Sequence, residues 1–128
     1  MKKENEYSLE KLEKACSQLE DGIKNARDQL GRDGVIQRFE FTFELLWKAL
    51  KISLREKGVE ARTPKDALKE AFSLEWINKE SPYLNMLEDR NKTSHMYDKK
   101  TVDEIFNRVA KDYLPAIKEV LKKLKEIS

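Results

Sequence analysis

The sequence predicts an all-α fold, an antiparallel up-and-down bundle of four to five helices. Apolar residues recur at helical steps of three and four along most of the chain, and no segment alternates apolar and polar residues at the strand period of two. Glycine and proline are scarce, at 4 and 3 copies, and the Lys, Glu and Leu content favours helices over strands. A chain of 128 residues is one domain's worth, so residues 1–128 are expected to fold as a single unit around one core.

The first helix is expected from Ser8, a natural N-cap, with apolar and small residues at Leu9, Leu12, Cys16, Leu19, Ile23, Ala26 and Leu30. These steps make a heptad seam, a narrow stripe that packs along a neighbouring helix of the same chain or of a partner. Cys16 lies on the seam and reads as a small core residue; with no histidine near it in sequence, a redox or catalytic role is the lesser reading. Gly31-Arg32-Asp33-Gly34 is expected to break the helix in a short turn. A second helix then runs from about Val35 to Lys57 and stops at Gly58. Phe39, Phe43, Leu46, Trp47, Leu50 and Leu54 form one broad face, with Phe41, Leu45 and Ile52 off it. A helix apolar most of the way round is central in a bundle or shared with another subunit, and packing rather than an aromatic ligand box is its ordinary meaning.

Thr63 as N-cap, with Pro64 and Asp66 in the first turn, opens a third helix whose buried side is expected to be Ala67, Leu68, Ala71 and Phe72. Trp76 and Ile77 close that region. Ser81-Pro82 marks the next N-terminus, and Tyr83, Leu84, Met86 and Leu87 begin a fourth helix. The final helix is expected to open on a capping box, Thr101 to Glu104, and to keep its period through Val102, Ile105, Phe106, Val109, Tyr113, Ile117, Val120, Leu121 and Leu124. Pro115 falls inside that run. It lacks an N–H, and its ring collides with the carbonyl four residues back, so a kink is expected near Lys111. Lysines in the last turn suit the negative end of the helix dipole and read as a solvated cap rather than a nucleic-acid patch.

Charged residues make up 39% of the chain but nearly cancel, at +2, which counts against a dedicated nucleic-acid binder. One cysteine cannot form an intramolecular disulfide, so nothing suggests an oxidising compartment. No apolar run follows the lysines of Met1 to Glu10, and no segment approaches membrane-spanning length. A soluble, cytoplasmic protein is expected, with no membrane association.

Chemically reactive groups gather in one stretch, Glu88-Asp89-Arg90-Asn91-Lys92-Thr93-Ser94-His95-Met96-Tyr97, which holds the chain's one histidine. Histidine can accept and release a proton near neutral pH, arginine stays charged with a fork that matches phosphate oxygens, and Asn91 and Ser94 add neutral hydrogen-bonding groups. In a continuous helix Arg90 and Tyr97, seven apart, share a face, while His95 sits about 140° round from Arg90. Convergence therefore needs the helix to end or bend near His95, or a second copy of the motif to face the first. RNA cleavage without a metal asks for a base at the 2′-hydroxyl, an acid at the 5′-oxygen and a cation for the developing charge. One chain offers one histidine; two chains about a two-fold axis offer two histidines and two arginines, so a homodimer with a composite interface site is the economical arrangement. One histidine among scattered carboxylates has no metal-ligand spacing, no nucleophile elbow marks a Ser/His/Asp triad, and no cofactor is called for. Taken alone, a histidine at a helix end beside an acidic residue is more often a cap or surface hydrogen-bonder than a catalyst.

Resemblance reverses that order. Arg90-Asn91-Lys92-Thr93-Ser94-His95-Met96-Tyr97 fits the R-N-x3-H-x-Y signature of HEPN-domain proteins. Gln37-Arg38-Phe39-Glu40-Phe41-Thr42-Phe43-Glu44, followed by Trp47-Lys48, resembles one branch, the nucleotidyltransferase substrate-binding proteins related to HepT toxins and paired with minimal MNT-type nucleotidyltransferases. The similarity covers nearly the whole chain. It implies a homodimeric bundle of four to five helices, catalytic Arg90 and His95 with Asn91 in support, and AMPylation of Tyr97 by the cognate transferase of a toxin–antitoxin pair. An adenylate two residues from His95 would repel RNA phosphate and block the cleft. The other reading within the same resemblance is a non-catalytic accessory subunit that binds the transferase and presents a substrate to it. A plain helical dimerisation module, in which Arg90 and His95 satisfy only each other and the backbone, stands third.

Overall fold

A computed structural model describes residues 3–93 and 98–128. Its elements in chain order are α1 (Glu4–Asn25), α2 (Gln29–Glu56), α3 (Pro64–Ser73), α4 (Glu80–Thr93), α5 (Lys99–Arg108), a single wide π turn (Val109–Tyr113) and α6 (Leu114–Ile127). Taking α5, the π turn and α6 as one bent rod gives five helices, with no strand among the described residues, as the periodicity predicts.

Side-chain bridges give the topology. Glu4 pairs with Arg55 and Asn5 with Glu56 at one end of α1 and α2, while Arg38 donates to the Gln18 carbonyl at the other, so the two run antiparallel. Glu13 pairs with Lys125 and Glu20 with Lys118, which sets α6 antiparallel to α1 as well. Tyr83 donates to the Ala116 carbonyl at 2.7 Å and Asp89 meets Arg108, so α4 also opposes the last rod. The exposed pairs among these add little, and the apolar core holds the bundle. Leu12, Leu19, Phe39, Phe43, Leu46, Leu50 and Leu54 are fully buried, each worth roughly 1.5–3 kcal/mol over exposure. α2 contributes most of them and touches every other helix, the central role its sequence predicts. Cys16 is buried on the α1 seam, and burial pushes its thiol up to about 11, in keeping with a packing role.

Several boundaries differ from the sequence reading. α1 begins at Glu4, before Ser8, and ends at Asn25, and Leu30 is 80% exposed rather than on the seam. The break falls at residues 26–28, and Gly31-Arg32-Asp33-Gly34 lies in the first turns of α2. Asp28 decides this, because its carboxylate accepts the Gly31 N–H at 2.8 Å and caps α2 six residues early. Gly31 also fits for a steric reason: a Cβ there would lie 3.0 Å from the Ala26 Cα, where the chain turns back on itself. At the last rod, Asp98 is the N-cap and accepts the Thr101 N–H at 2.7 Å, so Thr101 sits inside α5 instead of capping it. That bond holds the Asp98 carboxyl below the usual carboxylate range. Phe72, expected inside, is 40% exposed, because a ten-residue α3 buries only the stripe of Ala67, Leu68 and Ala71. α4 begins at Glu80, which places Ser81 and Pro82 in its first turn.

Pro115 acts where expected, but by widening the helix. The π turn spans Val109–Tyr113 around Lys111, and the Leu114 N–H reaches the Val109 carbonyl five residues back. The turn absorbs the missing donor and the ring clash without breaking the rod.

Candidate active site

The described part of the reactive stretch, Glu88 to Thr93, forms the C-terminal end of α4. Its last described turn places Asp89 and Thr93 inside, Arg90 half-buried, and Asn91 and Lys92 exposed. Arg90 reaches across to α2, where its Nη2 donates to Glu44 Oε1. The other oxygen, Glu44 Oε2, accepts the Trp47 indole N–H at 3.1 Å. Arg90 Nη1 donates to Asn91 Oδ1 at 3.2 Å. Thr93 closes the turn by donating its hydroxyl to the Arg90 carbonyl at 2.8 Å. The guanidinium is thereby aimed by one carboxylate and one amide. About a third of its side chain stays open to solvent, with donors left for an incoming anion.

Asp89 points the other way. It is 3% exposed and accepts from Arg108 Nε at 2.7 Å and Nη2 at 2.9 Å, a bidentate fork, as well as from the Tyr113 hydroxyl. Burial first and the Asp89 carboxylate second push the Tyr113 phenol up, and the bonds to Asp89 push the Arg108 guanidinium up. Arg108 and Tyr113 are five residues apart, which in an α-helix would set them about 140° round from each other. The π turn brings them back into near register, so both can grip one carboxylate. Tyr113 also stacks on Phe39 of α2, with ring centroids 5.4 Å apart.

Of the sequence-derived candidates, Arg90 and Asn91 are in contact with each other, whereas His95 and Tyr97 lie outside the described residues. Asp98 is extended (φ −75°, ψ 148°) and caps α5. Glu44, Arg108 and Tyr113 were missed as polar partners. Glu44 carries a local signal, standing one turn before Lys48 and three residues before Trp47, but its pairing with Arg90 spans 46 residues and has no signature in one sequence. Tyr113 sits in an apolar run and reads as core until the π turn is known.

Beside the end of α4, a recess of about 220 Å³ opens between α2 and α5, lined in part by Thr93 and Thr101. Next to it Arg32 on α2 pairs with Asp103 on α5 at 2.8 Å. None of the described helices is long and apolar enough to cross a membrane.

The family described as "nucleotidyltransferase substrate binding protein like" matches residues 7–126. A relative, the "Probable ribonuclease HepT" of Haemophilus influenzae, is 31% identical over 98 residues, a match covering 73% of this chain and 66% of that protein, just under two thirds of its length. Among solved structures, a Thermus thermophilus protein superposes with a TM-score of 0.83 at 35% identity, covering 89% of this chain and 98% of that one. A Haemophilus influenzae protein does so with a TM-score of 0.78 at 28% identity, covering 91% and 98%. Its structure is described as revealing the fold of a substrate binding domain of a nucleotidyltransferase.

Proposed function

The chain belongs to the nucleotidyltransferase substrate-binding family, in its HepT-like branch, and from that premise we propose that it is a metal-independent endoribonuclease, the toxin of a toxin–antitoxin pair. The observation that carries the reading is the Arg90 guanidinium, half-open and aimed by Glu44 and Asn91 on the turn that leads into the His95 segment. In this reading the 2′-hydroxyl of RNA attacks its own phosphorus while one His95 takes the hydroxyl proton. The P–O5′ bond breaks as the His95 of a second copy gives a proton to the leaving oxygen. The products are a 2′,3′-cyclic phosphate and a 5′-hydroxyl, and no water is consumed. Arg90 binds the phosphoryl oxygens as charge builds on them, and Asn91 holds Arg90 in place. The site is composite because each chain carries one histidine, so activity belongs to a homodimer formed from residues 1–128 as one domain.

The same premise gives the partner. A minimal nucleotidyltransferase silences the nuclease by transferring adenylate from ATP to the Tyr97 hydroxyl, with pyrophosphate leaving. The added charge beside His95 then repels RNA phosphate. The test is RNA cleavage in EDTA by chain purified without the transferase. Wild type should yield cyclic-phosphate ends, and His95→Ala should yield none while keeping its helical circular dichroism. Equal cleavage by the mutant removes the nuclease. The second reading, an accessory subunit, is favoured by the solved relative described as a substrate binding domain of a nucleotidyltransferase. Its mark is a stable complex with the transferase and no cleavage by any preparation.

A further inference from the structure

We propose that the recess between α2 and α5 is a nucleobase site with a preference for guanine, set beside the Arg90 centre. As a subsite for RNA it rests on the ribonuclease reading; as a binding site it can be tested without it. Its floor is apolar and buried, formed by Ile36, Val102 and Ile105 at 6%, 7% and 2% exposure. Its rim is polar, formed by Asp33, Gln37 and Glu40 on one stripe of α2. A volume of 220 Å³ is small for a drug-sized ligand, whose sites run from about 300 to 1,000 Å³. It equals roughly seven waters at about 30 Å³ each, space for a flat ring system lying on the aliphatic floor.

The recess and Arg90 share supports. Thr93 lines the recess and also donates to the Arg90 carbonyl, so both belong to the last turn of α4. On α2, Glu40 at the rim is followed one turn later by Glu44, the residue that holds Arg90; four residues rise about 6 Å along the axis. That is the scale of one nucleotide, so a base seated in the recess would present a neighbouring phosphate to the guanidinium.

The rim chemistry selects the base. Asp33 and Glu40 carboxylates repel phosphate, which leaves the base as the part of a nucleotide that enters. A carboxylate offers acceptors alone, so the base must offer donors. Uracil presents one N–H flanked by two carbonyls, which would face the carboxylates unfavourably. Adenine and cytosine each place one amino group beside a ring acceptor. Guanine places N1–H and N2–H side by side, matching both oxygens of one carboxylate, and its O6 accepts from the Gln37 carboxamide. Single-stranded RNA is read in this way, by splayed bases hydrogen-bonded along their edges.

The experiment titrates guanosine 3′-monophosphate and uridine 3′-monophosphate into the full chain and follows the methyl NMR signals of Ile36, Val102 and Ile105. The guanine nucleotide should shift these signals and bind about tenfold more tightly, the size of one charge-assisted hydrogen bond. Glu40→Gln should remove most of that preference and Gln37→Glu should weaken it, with the Val120 and Leu124 methyl signals unmoved as a check on folding. Equal affinity for the two nucleotides, unmoved floor methyls, or a preference that survives Glu40→Gln overturns the proposal. The two readings can fail separately. A chain that prefers the guanine nucleotide but never cleaves RNA loses the nuclease and keeps the site, and an active nuclease with no preference does the reverse.

Discussion

Asp89 and Arg90 are neighbours on α4, yet one closes a buried cluster and the other opens onto a surface. Asp89 is saturated, with two bonds from Arg108, one from Tyr113 and almost no exposure. Arg90 has a carboxylate and an amide for company and keeps a face free. The difference teaches how a small bundle can bury one charged group and keep its sequence neighbour partly open to solvent. The closed cluster clamps the last turn of α4 to the π turn, and that rigid turn then carries the open guanidinium. Within the cluster the carboxylate and the Tyr113 hydroxyl are buried while Arg108 stays about a third exposed, so breaking it costs mainly the acceptor that the buried hydroxyl loses.

The contrast is tested first at its closed end. Asp89→Ala should cost about 2–3 kcal/mol in urea unfolding, since the buried Tyr113 hydroxyl loses its acceptor and Arg108, about a third exposed, loses its fork. A cost below about 1 kcal/mol would mean that the cluster clamps nothing. Tyr113→Phe should cost less, about 1–1.5 kcal/mol, because Arg108 still satisfies the carboxylate.

The same tyrosine gives a pH signature. Burial raises Tyr113 and Tyr83 in the fold, so the folded chain holds those protons more tightly than the unfolded one. Their contribution is fully present below the unfolded tyrosine value of about 10 and is lost as pH rises through the folded values. Unfolding free energy should therefore fall above about pH 10, and fall less in Tyr113→Phe. An equal alkaline slope in both proteins would contradict the cluster. The smallest effect belongs to the open residue: Arg90→Ala should cost at most about 1 kcal/mol, as for other partly exposed pairs.

What the sequence made legible follows from the range of the interactions involved. Helices, their buried stripes and the disturbance near Lys111 are local, written in spacings and in one proline. The α1–α2 break was misplaced because two local rules compete there, and a capping aspartate at Asp28 outweighs a glycine pair that a helix start tolerates. Arg90 and Asn91 were legible as candidates from their types and from resemblance. The Glu44 partner and the Asp89 clamp were not. One depends on a crossing between α4 and α2, and the other on a π turn that shifts residues five apart into register.

The most direct measurement pairs stability with cleavage for Arg90→Ala, in EDTA and without the transferase partner. The expected result is a urea midpoint close to wild type, within about 1 kcal/mol, together with loss of RNA cleavage. Cleavage retained at the wild-type rate, or lost only in step with unfolding, would contradict an open guanidinium that serves the reaction rather than the fold.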